Sequence, residues 1–173
     1  MSNRSYRRDM DDSTKIRFLT TGGTIDKIYF DAKSEFTVGD SLIAQILSEG
    51  KVNVDYEIIP LMRKDSLELT DEDRQIIFDA VSSSGGEQFI VTHGTDTMTK
   101  TAEKLSSLDG KTVVLTGALT PARFRTTDAV FNLGMAVAAV QTQEHGVYIA
   151  MSGQIFAAGE VRKNVEEQRF ERI

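Results

Sequence analysis

Cysteine is absent from this 173-residue chain. That excludes disulfides, zinc–thiolate centres and cysteine nucleophiles, and it fits a reducing compartment. Histidine is scarce, with only His93 and His145 present. A histidine-rich metal site is therefore out, and a Ser-His-Asp triad would have to use one of these two. No apolar run approaches the roughly 20 residues of a membrane helix. The N-terminus also lacks the apolar stretch of a secretory signal, so the cytoplasm is the expected location and a membrane is not an expected partner. Positive charge is outweighed, at a formal net charge of −6, which argues against a nucleic-acid partner. The basic cluster Arg4, Arg7 and Arg8 lies beside Asp9, Asp11 and Asp12, so residues 1–14 read as a disordered leader.

Apolar residues make up 40% of the chain and charged residues 27%, ordinary proportions for a globular protein. A chain of this length forms one domain, here 15–173, that buries roughly 70% of its unfolded surface. Apolar runs read as buried strands at Ile16 to Leu19, Tyr56 to Leu61, Phe89 to Thr92, Thr112 to Leu115 and Val147 to Met151. Helix-like segments lie between them, at about Asp40 to Glu49, Thr70 to Ser83, Met98 to Ser107 and Asp128 to Thr142. Thr70 followed by Asp73 is close to a capping box, with Ile76, Ile77 and Ala80 expected on one face of its helix. The fourth helix is nearly all apolar, so it is expected on the sheet or at a subunit contact, and a homodimer or higher homo-oligomer follows from it. Alternating strands and helices give a three-layer α/β fold of Rossmann-like or flavodoxin-like kind. Its sheet is mostly parallel, with helices on both faces.

Two segments carry the chemistry. Ile90 to Met98 reads Ile-Val-Thr-His-Gly-Thr-Asp-Thr-Met, and Phe18 to Thr24 reads Phe-Leu-Thr-Thr-Gly-Gly-Thr. In each, a β-branched strand stops at glycine and delivers a hydroxyl to the rim of the sheet, where open α/β sheets bind ligands. Asp96 is suited to a ligand's ammonium group. A threonine hydroxyl is inert at neutral pH without a base. Lysine can be that base if its pKa falls from about 10.4 towards neutrality, a change of roughly 4 kcal/mol. The blander reading of the later segment is a strand-end turn, with Thr95 or Asp96 capping the helix that starts near Met98. Near Thr24, Gly23 and its neighbour offer close backbone approach and oxyanion donors. The segment lacks the spacing of a phosphate loop.

Thr21-Gly-Gly-Thr-Ile25 and Thr92-His-Gly-Thr-Asp-Thr-Met98 together resemble the two signatures of the bacterial-type L-asparaginase family. The resemblance continues at Phe36 to Gly39, Gly117 to Pro121, Asp128 to Val137 and Gly159 to Lys163. It implies deamidation of asparagine to aspartate and ammonia, without cofactor or metal, by covalent threonine chemistry. It implies Thr24 as nucleophile, with Thr95, Asp96 and Lys163 as a hydrogen-bonded group and Asp96 also holding the substrate's α-ammonium. Asp65 and Ser66 would hold the α-carboxylate, and the Ala118 carbonyl would face the leaving amide. For Lys163, which lies in the charged stretch Arg162 to Arg172, the default is a solvated side chain. His93 reads as a structural turn residue, His145 as a surface one, and Arg123 and Arg125 as solvated loop charges.

The chain departs from the family pattern twice. Phe36 stands where the family has a tyrosine that assists the first threonine, which leaves Tyr29 as the candidate substitute. The family's smaller C-terminal domain would begin where this chain stops, so a more open site and a substrate larger than free asparagine are expected. The alternatives are an amino-acid-binding protein that senses asparagine or aspartate with little or no turnover, and, ranked last, a subunit acting on a larger amide.

Overall fold

The computed structural model describes residues 14–30 and 35–173. Most of the leader, residues 1–13, lies outside the described residues. The central sheet has six strands: β1 (Ile16–Gly22), β4 (Tyr56–Lys64), β5 (Gln88–Thr92), β6 (Thr112–Thr116), β7 (Gly146–Met151) and β8 (Gln154–Ala157). They run in the order β4-β1-β5-β6-β7-β8. All neighbours are parallel except β7 and β8. Two antiparallel hairpins stand apart from this sheet, β2 (Lys27–Phe30) with β3 (Glu35–Val38), and β9 (Val161–Asn164) with β10 (Arg169–Arg172).

Alternation along the central strands builds two cores. Leu19, Phe89, Val91, Val113, Leu115 and Ile149 face one layer, where they meet Ile77 and Val81 of α2 (Asp71–Ser82) and Met98, Ala102 and Leu105 of α3 (Met98–Leu105). Ile16, Phe18, Ile90 and Val114 face the other. That layer holds Ile43, Ile46 and Leu47 of α1 (Ile43–Glu49) and Leu133, Ala136 and Val140 of α4 (Ala129–Thr142). The expected mostly parallel sheet with helices on both faces is therefore present. Helix α2 starts as its sequence dictates: Thr70 and Asp73 form a reciprocal capping box, worth about 1 kcal/mol. Its inward face differs from the expected one. Ile77 and Val81 are buried, whereas Ile76 is half exposed, because the helix turns its 100° steps around Ile77 rather than between the two isoleucines.

The sheet covers one side of the apolar α4 and leaves Val130 and Phe131 exposed near its start. Among the described residues no helix is long and apolar enough to cross a membrane.

The strand order positions the site. From β1 the chain travels to β4 on one side, and from β5 it travels through α3 to β6 on the other. The loops after β1 and β5 thus part company at adjacent strand ends, the crevice in which such sheets hold ligands.

Candidate active site

Three glycines bring the β1 and β5 loops together. Gly23, at φ +84°, would place a Cβ 2.5 Å from the Gly94 Cα. A Cβ on Gly94 would lie 2.6 Å from that of Ser66, and Gly22, at φ +100°, backs onto the Lys64 backbone. A side chain at Gly23 would separate the two loops, so the glycine pair seen in the sequence is a packing requirement. Thr21 Oγ1 adds a 2.8 Å bond to the Thr92 carbonyl, tying the ends of the two strands.

The Gly23 N–H was a candidate oxyanion donor, but it is spent on the Lys64 carbonyl at 2.9 Å. The N–H groups of Thr24 and Thr95 instead have no partner among the described residues. They are among the amides of these loops left to meet a developing negative charge.

Thr24, Thr95, Asp96 and Lys163 line one cleft of about 240 Å³, with Leu119, Val165 and Gln168 completing its wall. Lys163 Nζ donates to Thr95 Oγ1 at 2.8 Å and to Asp96 Oδ1 at 2.6 Å. Thr95 is buried, while Asp96 stays open to the cleft. The Thr24 hydroxyl, on a short 3-10 turn over Thr24–Asp26, makes no hydrogen bond among the described residues. Neither Thr95 nor Asp96 caps α3. That position belongs to Thr97, whose hydroxyl donates to the Ser66 carbonyl at 2.7 Å, so the two side chains before it are free for other work.

By composition alone Lys163 lies in a solvated charged stretch, whereas the family resemblance sets it beside Thr95 and Asp96. The stretch is the β9–β10 hairpin, and the Lys163 side chain is 19% exposed. Val161 and Phe170 anchor the hairpin to the core, and Arg162 pairs across it with Glu171 at 2.8 Å. Opposite charges at register partners were the sequence signal for this hairpin, masked by the overall density of charge. Leu119, Val165 and Gln168 were not foreseen in the cleft either, since nothing in their residue types marks them.

Asp65 and Ser66 lie on the turn after β4. Asp65 is paired with Lys27 at 2.6 Å and caps a short turn by accepting from the Leu67 N–H. Partial burial pushes its carboxyl up, but Lys27 and the backbone N–H groups of Leu67 and Ser66 together hold it below the usual range. A carboxylate so engaged is a poor seat for another carboxylate. Ser66 is buried beneath Gly94, and its hydroxyl accepts from the Asp96 N–H at 3.2 Å, so it fixes Asp96 from behind.

Ala118 is fully buried just past β6. The loop that follows is set by Asp128, whose carboxylate accepts from the Leu119 and Thr120 N–H groups. Asn132 bonds both the Gly117 carbonyl and Asp128. Tyr29 is the register partner of Phe36 in the β2–β3 hairpin, but its side chain lies outside what is described. The Phe36 ring is half exposed and packs 6.1 Å from Phe124.

Two buried titratable groups flank the loops. His93 bridges the Gly94 carbonyl and Thr101 Oγ1 at 2.7 and 2.8 Å, and burial pushes its pKa down to about 4. It is a structural residue, as its turn suggested. Burial pushes Asp26, on the Thr24 turn, up to about 6 against a hydrogen bond from Ser41. Arg123 and Arg125 are exposed loop charges, and His145 is an exposed turn residue beside Thr112. Among the described residues no three metal-ligating side chains gather.

Residues 15–171 match the family model described as Asparaginase, N-terminal. The chain is 30% identical to a protein named probable L-asparaginase periplasmic from Haemophilus influenzae, over 88% of this chain and 47% of that one. It is 32% identical to L-asparaginase 2 of Escherichia coli strain K12, over 86% and 46% of the two chains. Its fold is similar to the crystal structure of a probable cytoplasmic L-asparaginase from Campylobacter jejuni. That likeness has a TM-score of 0.78 at 29% identity, covering 92% of this chain and 53% of that one. The chain spans about half the length of the relatives it matches.

Proposed function

The chain belongs to the asparaginase family through that family's N-terminal domain, and from this premise we propose that it is an amidohydrolase that converts L-asparagine or a related amide to the acid and ammonia. One observation carries the reading: Lys163 Nζ lies within 2.8 Å of a buried threonine hydroxyl and 2.6 Å of a carboxylate, in the cleft that Thr24 also lines. A simple amino-acid binder has no use for an ammonium held against a threonine hydroxyl.

Thr24 Oγ1 adds to the amide carbon, its proton passes to the amide nitrogen, and the oxyanion that forms is met by the N–H groups of Thr24 and Thr95. Collapse breaks the C–N bond. The nitrogen leaves as ammonia once it has received a proton, and an ester remains on Thr24. Water then hydrolyses the ester, oriented by Thr95. Lysine normally carries its proton at neutral pH, so Lys163 can accept one from Thr95 only after passing one on. Asp96, at 2.6 Å, is the group positioned to take it, and its exposed edge also suits a substrate ammonium.

What favours Thr24 over Thr95 as nucleophile is that its hydroxyl is unengaged among the described residues. No cofactor or metal enters these steps. The cytoplasm is the proposed place of action, as in the name of the Campylobacter jejuni protein, whereas the Haemophilus influenzae relative is named periplasmic.

The test is ammonia release from L-asparagine by the folded protein at high enzyme concentration. Release that depends on Thr24 and Lys163 supports the reading. Ligand binding without any release replaces it with an amino-acid sensor.

A further inference from the structure

The cleft shares a wall with a second groove. Leu119 and Gln168, which line the cleft, also line this groove of about 590 Å³ that runs between the start of α4 and the β7–β8 turn. The cleft alone is smaller than the roughly 300–1,000 Å³ of ordinary ligand sites, whereas the groove falls well inside that range. The floor of the groove is Phe131, a large aromatic left 63% exposed, and Thr126 and Ser152 bring hydroxyls to its sides. Two of the three described non-glycine residues at positive φ, Ser152 at 53° and Gln168 at 49°, are here. Such conformations are uncommon and cost free energy. The Gln168 side-chain amide has no hydrogen-bond partner among the described residues, which leaves it available at the junction.

We propose that this groove is a leaving-group subsite, and that the physiological substrate class is an N-substituted carboxamide. The acyl head, an aspartyl-type group with a free ammonium, sits in the cleft, and an amine bearing an apolar body sits against Phe131. The proposal rests on the amidohydrolase reading above and adds the identity of the amine. The chemistry is unchanged: the amide C–N bond breaks, the amine departs with a proton, and water supplies the hydroxyl of the new carboxyl group.

The probe is L-aspartic acid β-(4-nitroanilide), whose cleavage releases a coloured arylamine, compared with L-asparagine on the same protein. The expected result is a kcat/KM at least about tenfold higher for the anilide than for asparagine. That ratio should fall about tenfold in Phe131→Ala and stay within about threefold of wild type in Phe131→Leu, which keeps an apolar body in the groove. The exposure of Phe131 makes the fold insensitive to its truncation, and an unaltered melting temperature checks this. Turnover of asparagine with none of the anilide, or an unmoved ratio in Phe131→Ala, overturns the subsite and leaves the amidohydrolase reading standing. Dissociation of a dimer by Phe131→Ala, with the ratio unmoved, assigns the patch to a second copy of the chain and likewise overturns it. Failure to cleave either compound overturns the amidohydrolase reading itself, and the subsite with it.

Discussion

The loops after β1 and β5 are built from the same residues, strand then glycine then threonine, yet they hold their hydroxyls in opposite ways. Thr95 is buried and tied to Lys163, with Asp96 beside it fixed from behind by Ser66. Thr24 stands on a short turn, partly exposed, with its hydroxyl unbonded among the described residues. A hydroxyl that must attack needs a free lone pair and room to move, and one that relays a proton needs fixed neighbours on both sides. The contrast fits the division of labour proposed above, with Thr24 as the proposed nucleophile and the Thr95 loop as the proposed manager of protons.

The sharpest way to break the comparison is to remove one half at a time. Thr24→Ala should lower asparagine turnover about 10⁴-fold and Lys163→Met about 10³-fold, with the double variant little worse than Thr24→Ala, because groups that act as a unit are not additive. Steady-state ammonia assays read all three, and equal, purely additive losses would contradict the division.

The packing that brings the loops together is next in size. Gly94→Ala drives a methyl against Ser66, whose backbone and side chain are both buried, and should cost about 3 kcal/mol in denaturant unfolding. A loss below about 1 kcal/mol would mean the loops can separate freely.

The smallest effect is a matched pair of pH dependences. Asp26 on the Thr24 turn is raised to about 6. Its stabilising contribution is complete below its ordinary value of 3.8 and is lost as pH rises through about 6. His93 beside the Thr95 loop is lowered to about 4, so its contribution is complete above 6.5 and is lost as pH falls through about 4. Between pH 6 and pH 4 the two nearly cancel, at about 2 kcal/mol each by linkage. Relative to wild type, Asp26→Asn should become about 2 kcal/mol less stable on acidification from pH 6 to pH 4, and His93→Gln about 2 kcal/mol more stable. Thermal or denaturant unfolding at the two pH values checks the signs, and a shared sign would show that one of the two groups is solvated.

Five of the six central strands were legible in the sequence as apolar runs, as at Phe89 to Thr92, where both faces are buried, whereas the short edge strand β8 was not read. Helix α2 was legible from its capping box. Both hairpins were missed. Their strands are four residues long and half polar, so no periodicity rises above the background, and Arg162 with Glu171 looks like a solvated charge run until the register is known. Thr24, Thr95, Asp96 and Lys163, which the fold brings to one cleft, were named from their motifs. Asp65 was given a substrate's carboxylate to hold, because its bond to Lys27, 38 positions earlier, leaves no mark in the sequence. The Leu119–Gln168 wall is likewise a product of tertiary closure alone.

The most direct test of the division between the two threonines is to acid-quench the protein during turnover of L-asparagine and map the acyl adduct by peptide mass spectrometry. An aspartyl ester on the peptide carrying Thr24, more abundant in Lys163→Met than in wild type, is the predicted result. An ester on Thr95, or ammonia release with no ester on either threonine, would contradict the account.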